Sequence, residues 1–189
     1  MVKWLVLPLL AVLACGSPDN LVLGGTDSFN GSPAIVFPNI GSAIHGTVNL
    51  TNPSTGAAIG KADAIILSDR KDLCAVVQAN ADYFRTPSDQ MVSLVMITPF
   101  DALGTFYPGN KLEEFVQYSE ILAGAGGGPT NAILNVAVST GYITVSQLDQ
   151  ESHGSFGLYF GGSPDGQAHL YQGKFKTSRC DALLTAHLP

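Results

Sequence analysis

Histidines with carboxylates nearby are the residues of this 189-residue sequence that could do metal or acid–base chemistry. His153 and His169 fall on two strands that we predict to be neighbours, so their rings could face each other. Together with Asp149 or Glu151 they would supply the nitrogen and oxygen ligands of such a site. A solvent-facing position on a strand explains both histidines without any site, and on that interpretation the sequence assigns no metal ligand.

Other catalytic patterns are weak. A hydrolase needs a nucleophile, a base and an orienting acid brought together, and the sequence has no Gly-x-Ser-x-Gly elbow. The glycine-rich segment 123–129 lacks the Gly-Lys-Ser/Thr of a phosphate-binding loop, so we interpret it as an ordinary loop. We therefore expect a non-enzymatic protein without catalytic residues or a cofactor.

The cysteines carry a more specific signal. Three are present, Cys15, Cys74 and Cys180, and an odd number in an exported protein requires an explanation. If Cys15 carries a lipid, Cys74 and Cys180 remain to pair in an oxidising compartment. Their bridge would close a loop of about a hundred residues, which is a large constraint on the unfolded chain. Two buried free thiols are the alternative.

Residues 1–14 have the layout of a secretory signal, in which Lys3 precedes the apolar run 4–14. That run is too short for a helix that crosses the hydrocarbon core, which needs about 20 residues. Its end, Val12 to Cys15, resembles a bacterial lipobox, so we predict cleavage before Cys15 and a lipid on its thiol. An ordinary cleaved signal, with Cys15 incidental, is the alternative.

The residues after Cys15 indicate which membrane the predicted lipoprotein would reach. Gly16 and Ser17 follow it, and no aspartate stands directly behind it, which favours the outer membrane by resemblance to enterobacterial sorting. A secreted eukaryotic protein without lipid is a third interpretation. In that case Asn30 and Asn49 would be formal N-glycosylation acceptors.

Composition narrows the class of partner. The formal net charge is −6 and only 13% of the residues are charged. Nucleic acid is excluded as an expected partner, because its binding needs clustered cations that displace counterions from the phosphates. A low-charge, turn-rich chain suits an extracellular β-domain. Expected partners are the membrane, through the lipid, and a protein or carbohydrate ligand.

Residues 15–33 read as a lipidated flexible tether, since few of them could pack, and a short strand at Leu21–Leu23 is the alternative. Residues 34–189 then form a single β-rich domain, an antiparallel sandwich or barrel with one packed helix at about 70–84. Ser68 or Asp69 would cap that helix. The strands are predicted at 43–51, 62–67, 91–97, 103–107, 132–140, 142–148, 153–160 and 168–176, and segment 111–122 fits neither period.

Two patterns mark the C-terminal strands. The triplets Gly154-Ser155-Phe156 and Gly173-Lys174-Phe175 repeat one motif, which predicts twisted or bulged strands around a core. The three tyrosines Tyr142, Tyr159 and Tyr171 are predicted on the solvent side, with Phe156, Leu158 and Phe160 inward. A tyrosine stripe of this kind either binds carbohydrate or protein, or consists of cross-strand pairs that stabilise the sheet.

Segment 141–181, with its two Gly-x-Phe strands and terminal Cys180, is similar to small lipoproteins of myxobacteria and related soil bacteria. Leu67 to Asp69, followed by Leu73 and Cys74, resembles the other half of that pattern. These parts cover about a third of the chain, and His153 directly before a Gly-x-Phe unit departs from it. The resemblance implies lipid anchoring, a β-rich fold and a Cys74–Cys180 bridge, and it implies no substrate.

Overall fold

A computed structural model describes residues 23–25, 40–52, 54–85, 91–109, 116–122, 132–160 and 169–188. The predicted signal, Cys15, the tether outside 23–25, Asn30 and the glycine-rich segment 123–129 lie outside the described residues. Within the described part, no helix combines the length and the apolar character that a membrane crossing requires.

The protein is mainly β, as predicted, and the described residues contain one α-helix, α1, at Leu73–Ala79. A short 3-10 helix follows the last strand at Asp181–Thr185. The described residues form ten strands: β1 Leu23–Gly25, β2 Ser42–Thr51, β3 Ala58–Ser68, β4 Met91–Pro99, β5 Gly104–Phe106, β6 Val116–Leu122, β7 Ala132–Ala137, β8 Thr140–Leu148, β9 Glu151–Phe160 and β10 His169–Arg179.

All ten strands belong to one sheet, in the order β5-β8-β9-β10-β2-β3-β4-β6-β7, with β1 pairing on β10. A seven-stranded part of it curls into a half-barrel. Neighbours are antiparallel except β10 and β2, which run parallel over a short contact at Ser178 and Arg179. Leu23–Gly25 therefore belong to the sheet, so the predicted tether 15–33 is interrupted by a short strand close to the alternative at Leu21–Leu23.

The curl produces two apolar cores on the two faces of β3. Inside the half-barrel, Ile65 and Leu67 of β3 pack with aromatic and aliphatic residues of β4, β8, β9 and β10. On the outside, Ala64 and Ile66 pack with α1, the 3-10 helix and the turn that holds Tyr83 and Phe84. Residues 62–68 are consequently buried without interruption, which is why residues 64–67 are all apolar rather than alternating, while Asp63 and Ser68 on either side of them are buried polar residues.

Helix α1 is shorter than predicted. It begins after Asp72, whose φ of 57° lies in the left-handed region, and no side chain of Asp72 caps it. The N–H of Leu73 instead donates to Oγ of Ser42, at 3.1 Å, from the start of β2. The predicted cap is wrong because the Ser68 hydroxyl accepts from the N–H of Arg70, at 3.1 Å, in the turn before the helix. A partner distant in sequence cannot be found by local pattern.

Candidate functional site

The disulfide joins the helix to the end of the last strand. The Sγ atoms of Cys74 and Cys180 are 2.03 Å apart, across a sequence separation of 106. Cys180 is buried, and its N–H donates to the carbonyl of His45 at 2.7 Å. The pairing predicted from the odd number of cysteines is the one in the structure, so Cys15 is the one cysteine of the chain left outside it.

The two histidines proposed as a site do not meet. Their strands β9 and β10 are neighbours, as predicted, but His153 pairs with Lys176 while His169 pairs with Phe160. Seven residue steps separate the two positions along the hairpin, which corresponds to about 23 Å. The two positions are therefore too far apart along the hairpin to contribute to one site. The described residues also contain no cluster of three or more His, Cys, Asp or Glu that could hold a metal ion.

His153 instead belongs to an ion-pair chain on the surface. Its Nε2 lies 3.2 Å from Oε2 of Glu151, and Nζ of Lys176 lies 3.0 Å from Oε1 of the same carboxylate. The hydrogen bond from Lys176, followed by that from His153, lowers the pKa of Glu151 below its ordinary value of 4.5. This carboxylate therefore offsets much of the positive charge at this end of the hairpin.

The outward side chains of β5, β8, β9 and β10 form a polar surface, here called the outer face. Cross-strand pairing arranges them in three rows, which are about 7 Å apart because each row is two residues further along its strands. The first row contains Lys176 and His153, with Ser146 at a β-bulge beside them; the second contains Lys174, Ser155, Thr144 and Thr105; the third contains Gln172, Gly157 and Tyr142.

The outer face is a groove rather than a flat sheet. Its open cavity has a volume of about 1170 Å³, and its floor includes Gly154 and Phe156 of β9 and Gly173 and Phe175 of β10, whose inward positions face the half-barrel core. The hydroxyls of Thr105 and Thr144 are 2.9 Å apart across its edge. This volume is slightly above the range of small-ligand sites, about 300–1,000 Å³.

Tyr142 forms one wall of the groove. A Cβ on Gly157, the residue opposite it, would lie 2.7 Å from Cε1 and 3.2 Å from Cζ of the tyrosine ring. The ring thus leans across the neighbouring strand into space that only a glycine leaves open. It is nevertheless 41% exposed, so the ring presents an apolar surface beside hydroxyls and an amide.

The predicted tyrosine stripe is only partly correct. Phe156, Leu158 and Phe160 point inward as expected. Tyr171, however, is buried inside the half-barrel and makes an edge-on contact with Phe160, with ring centroids 5.5 Å apart. Tyr159 is half-buried, so of the three predicted tyrosines Tyr142 is the one that is exposed.

A second polar group, inside the half-barrel, was not anticipated. His45 is 2% exposed; its Nε2 donates to the carbonyl of Asp149 at 3.0 Å, and its Nδ1 lies 3.0 Å from Oγ1 of Thr177. Thr177 also lies 3.3 Å from the carbonyl of Ser152. A hydroxyl beside an imidazole is the pairing of a nucleophile with its base. Here both groups are buried from solvent, so a substrate cannot reach them, and the contacts act as ties between strands.

The only sequence signal for His45 was its place in the alternating strand at 43–51, where it shares a face with Ala43 and Thr47.

Comparison with known proteins assigns no family, since the chain matches no protein-family model, no curated protein and no solved structure. The site must therefore be interpreted from its own chemistry.

Proposed function

We propose that the protein is an exported bacterial lipoprotein, anchored in the envelope through Cys15, whose domain acts as a non-enzymatic binding module. The observation that carries the proposal is the pairing of Cys74 with Cys180. Disulfides persist in oxidising compartments such as the periplasm and the cell surface. The bridge therefore supports export, and it leaves Cys15 free for another role.

The position of Cys15 supports a lipid as that role. It stands at the end of a short apolar run with a lipobox-like sequence, Val12 to Cys15. The first described strand begins only eight residues later, at Leu23, so the chain between them can span less than about 30 Å. An anchor at Cys15 would hold the domain close to the membrane surface, and the outer membrane is the expected one.

The outer face supports a binding role. It is a broad, open groove lined by exposed polar side chains and by Tyr142, whereas the hydroxyl–imidazole pair of Thr177 and His45 is enclosed. Polar side chains around an exposed aromatic ring suit recognition of a ligand from solution.

Mass spectrometry of the mature N-terminus tests the anchor. The full chain, produced in a bacterium that processes lipoproteins, is expected to begin at Cys15 with a diacylglyceryl group and to fractionate with membranes. Cys15→Ala should move it to the soluble fraction, whereas Ser17→Ala, a matched change two residues away, should not. An unmodified Cys15 in the mature protein, or a mature chain that begins beyond it, overturns lipid anchoring.

A further inference from the structure

We propose that the outer face is a binding site for an acidic oligosaccharide, with Tyr142 contacting the apolar side of a sugar ring and Lys174 pairing with a carboxylate. This inference deepens the binding role proposed above, and it is independent of the lipid at Cys15. It follows from three properties of the groove: its free charge, its hydrogen-bonding groups and the way its aromatic ring is held.

The free positive charge of the face is at Lys174. Its row partner on β9 is the neutral Ser155, and no carboxylate among the described residues lies within ion-pair distance of it. Lys176, in the next row, is already paired with Glu151. The chain as a whole carries a net charge of −6, so an exposed lysine in the middle of this groove is a local positive charge on an acidic protein. Such a site favours an anion over a cation.

One or two free cations do not suffice for nucleic acid, which needs a set of phosphate contacts. A protein partner is also disfavoured, because the core of a protein interface is mainly apolar and Tyr142 is the one large exposed apolar side chain among the residues that line the groove. Leu103 and Tyr107, at the two ends of β5, are exposed but do not line it. Hydroxyl-rich ligands fit better. Thr144, Ser155 and Gln172 can each donate and accept hydrogen bonds with sugar hydroxyls.

The dimensions favour a short chain of sugars over a single ring. From the row of Tyr142 to the row of Lys176 the groove runs about 13 Å, four residues along each strand. A ligand that lies along it would place one ring against Tyr142 and its acidic group near Lys174 in the next row. The contact with Tyr142 and the contact with Lys174 can therefore be removed separately by mutation.

Gly157 is a positioning residue for this site. The Tyr142 ring leans over it at 2.7 Å from where a Cβ would be, and every close atom belongs to that side chain. Gly157→Ala should therefore rotate Tyr142 out of its place without disturbing the backbone. The matched control is Gly60→Ala on β3, because a Cβ at Gly60 meets no atom within 4 Å.

Binding is measured by calorimetry on the full chain carrying Cys15→Ala, with tetragalacturonate and tetramannuronate as acidic probes and maltotetraose as the neutral one. We expect at least one acidic probe to bind at least tenfold more tightly than maltotetraose. Lys174→Gln should weaken acidic binding at least fivefold, and Lys71→Gln, an exposed lysine outside the groove, should leave it unchanged. Thermal melts verify that each variant is folded.

The aromatic contact is tested in the same assay. Tyr142→Ala and Gly157→Ala should each weaken the binding of the acidic probe at least fivefold, while Gly60→Ala does not. Absence of binding by both acidic probes, equal affinity for maltotetraose, or loss on Lys174→Gln with no effect of Tyr142→Ala each overturns the site. The last of these would reveal simple ion association. None of these outcomes bears on the lipid at Cys15, which is read from the mass of the N-terminus.

Discussion

The ring of Phe175 occupies the space above Gly154, its partner on the neighbouring strand. The reverse pairing holds as well, since Gly173 lies opposite Phe156. The two Gly-x-Phe triplets therefore run antiparallel, with each glycine facing the phenylalanine of the other. Both rings are buried in the half-barrel, 1% and 3% exposed, and the glycines let them lie close to the backbone. The Gly-x-Phe repeat in the sequence is therefore explained by this reciprocal packing.

Gly154→Ala should destabilise the fold by about 2–3 kcal/mol, the range for adding a methyl group to a filled core. A Cβ there would collide with the backbone carbonyl of Thr144 as well as with the Phe175 ring, and the carbonyl cannot rotate away. The measurement is the urea midpoint, with exposed Gly60→Ala as the control, which should be neutral or slightly stabilising. A midpoint for Gly154→Ala equal to that of the control contradicts this packing.

How much of this could be predicted from sequence depends on the range of the interaction. The Gly-x-Phe motif signalled packed, irregular strands, and a bulge does lie at Ser146, between the paired residues Val145 and Gln147 on the strand beside Gly154. The register between strands was not available from local pattern. The place of Tyr171 was: the alternation of β10 puts Tyr171 on the same face as Phe175, so an inward Phe175 implies an inward Tyr171.

The Cys74–Cys180 bridge should contribute about 4–5 kcal/mol to the free energy of unfolding, as expected for a closed loop of this length in the chain-entropy model. Its separation of 106 residues spans most of the described strands. The measurement compares chemical unfolding of the wild type with that of the Cys74→Ala/Cys180→Ala variant.

Reduction of the wild type should lower its stability to a similar extent, and Cys15→Ala should have no effect on the unfolding of the oxidised domain. If the variant without the bridge unfolds at the same denaturant concentration as the wild type, the bridge does not constrain the unfolded chain as argued.

Thr177→Val should cost about 1–3 kcal/mol, because it leaves Nδ1 of the buried His45 without a partner. Valine has nearly the shape of threonine, so the change removes the hydroxyl and little else. Thr140→Val, at an exposed strand position, is the matched control and should cost less than about 0.5 kcal/mol. Removing both partners with His45→Phe should give a coupling in a double-mutant cycle. Strict additivity of the two changes would contradict the hydrogen bond.

The contrast between His45 and His153 shows why the candidate site was only partly predictable. Both histidines sit in alternating strands, and the sequence offered no difference between them. Burial of His45 follows from the curl of the sheet, which encloses one face of β2. Exposure of His153 follows from the parity of β9, in which Phe156 and Leu158 take the inward positions. The burial of one histidine and the exposure of the other depend on how strands far apart in sequence pair, which the sequence pattern around each histidine does not contain.

The lowered pKa of Glu151 predicts how its contribution to stability depends on pH. Its pKa is lowered first by the hydrogen bond from Lys176 and second by that from His153, so the folded protein holds the carboxylate charged to lower pH than the unfolded chain does. The pair therefore stabilises the fold above the ordinary carboxyl pKa of 4.5, and this contribution disappears as the pH falls through the lowered value. The carboxylate is exposed to solvent, which keeps the contribution small.

Nuclear magnetic resonance titration of the Glu151 side-chain carbonyl measures the shift directly. The wild type should titrate below 4.5, Lys176→Gln should move the pKa upward toward that value, and His153→Gln should move it upward by less, because its hydrogen bond ranks second. Lys174→Gln is the matched control: Lys174 lies in the next row of the outer face and makes no ion pair with Glu151, so the pKa should stay where it is. Equal shifts from Lys174→Gln and Lys176→Gln would mean that the general positive charge of the groove lowers this pKa. The free charge assigned to Lys174 would then be shared with Glu151 rather than available to a ligand.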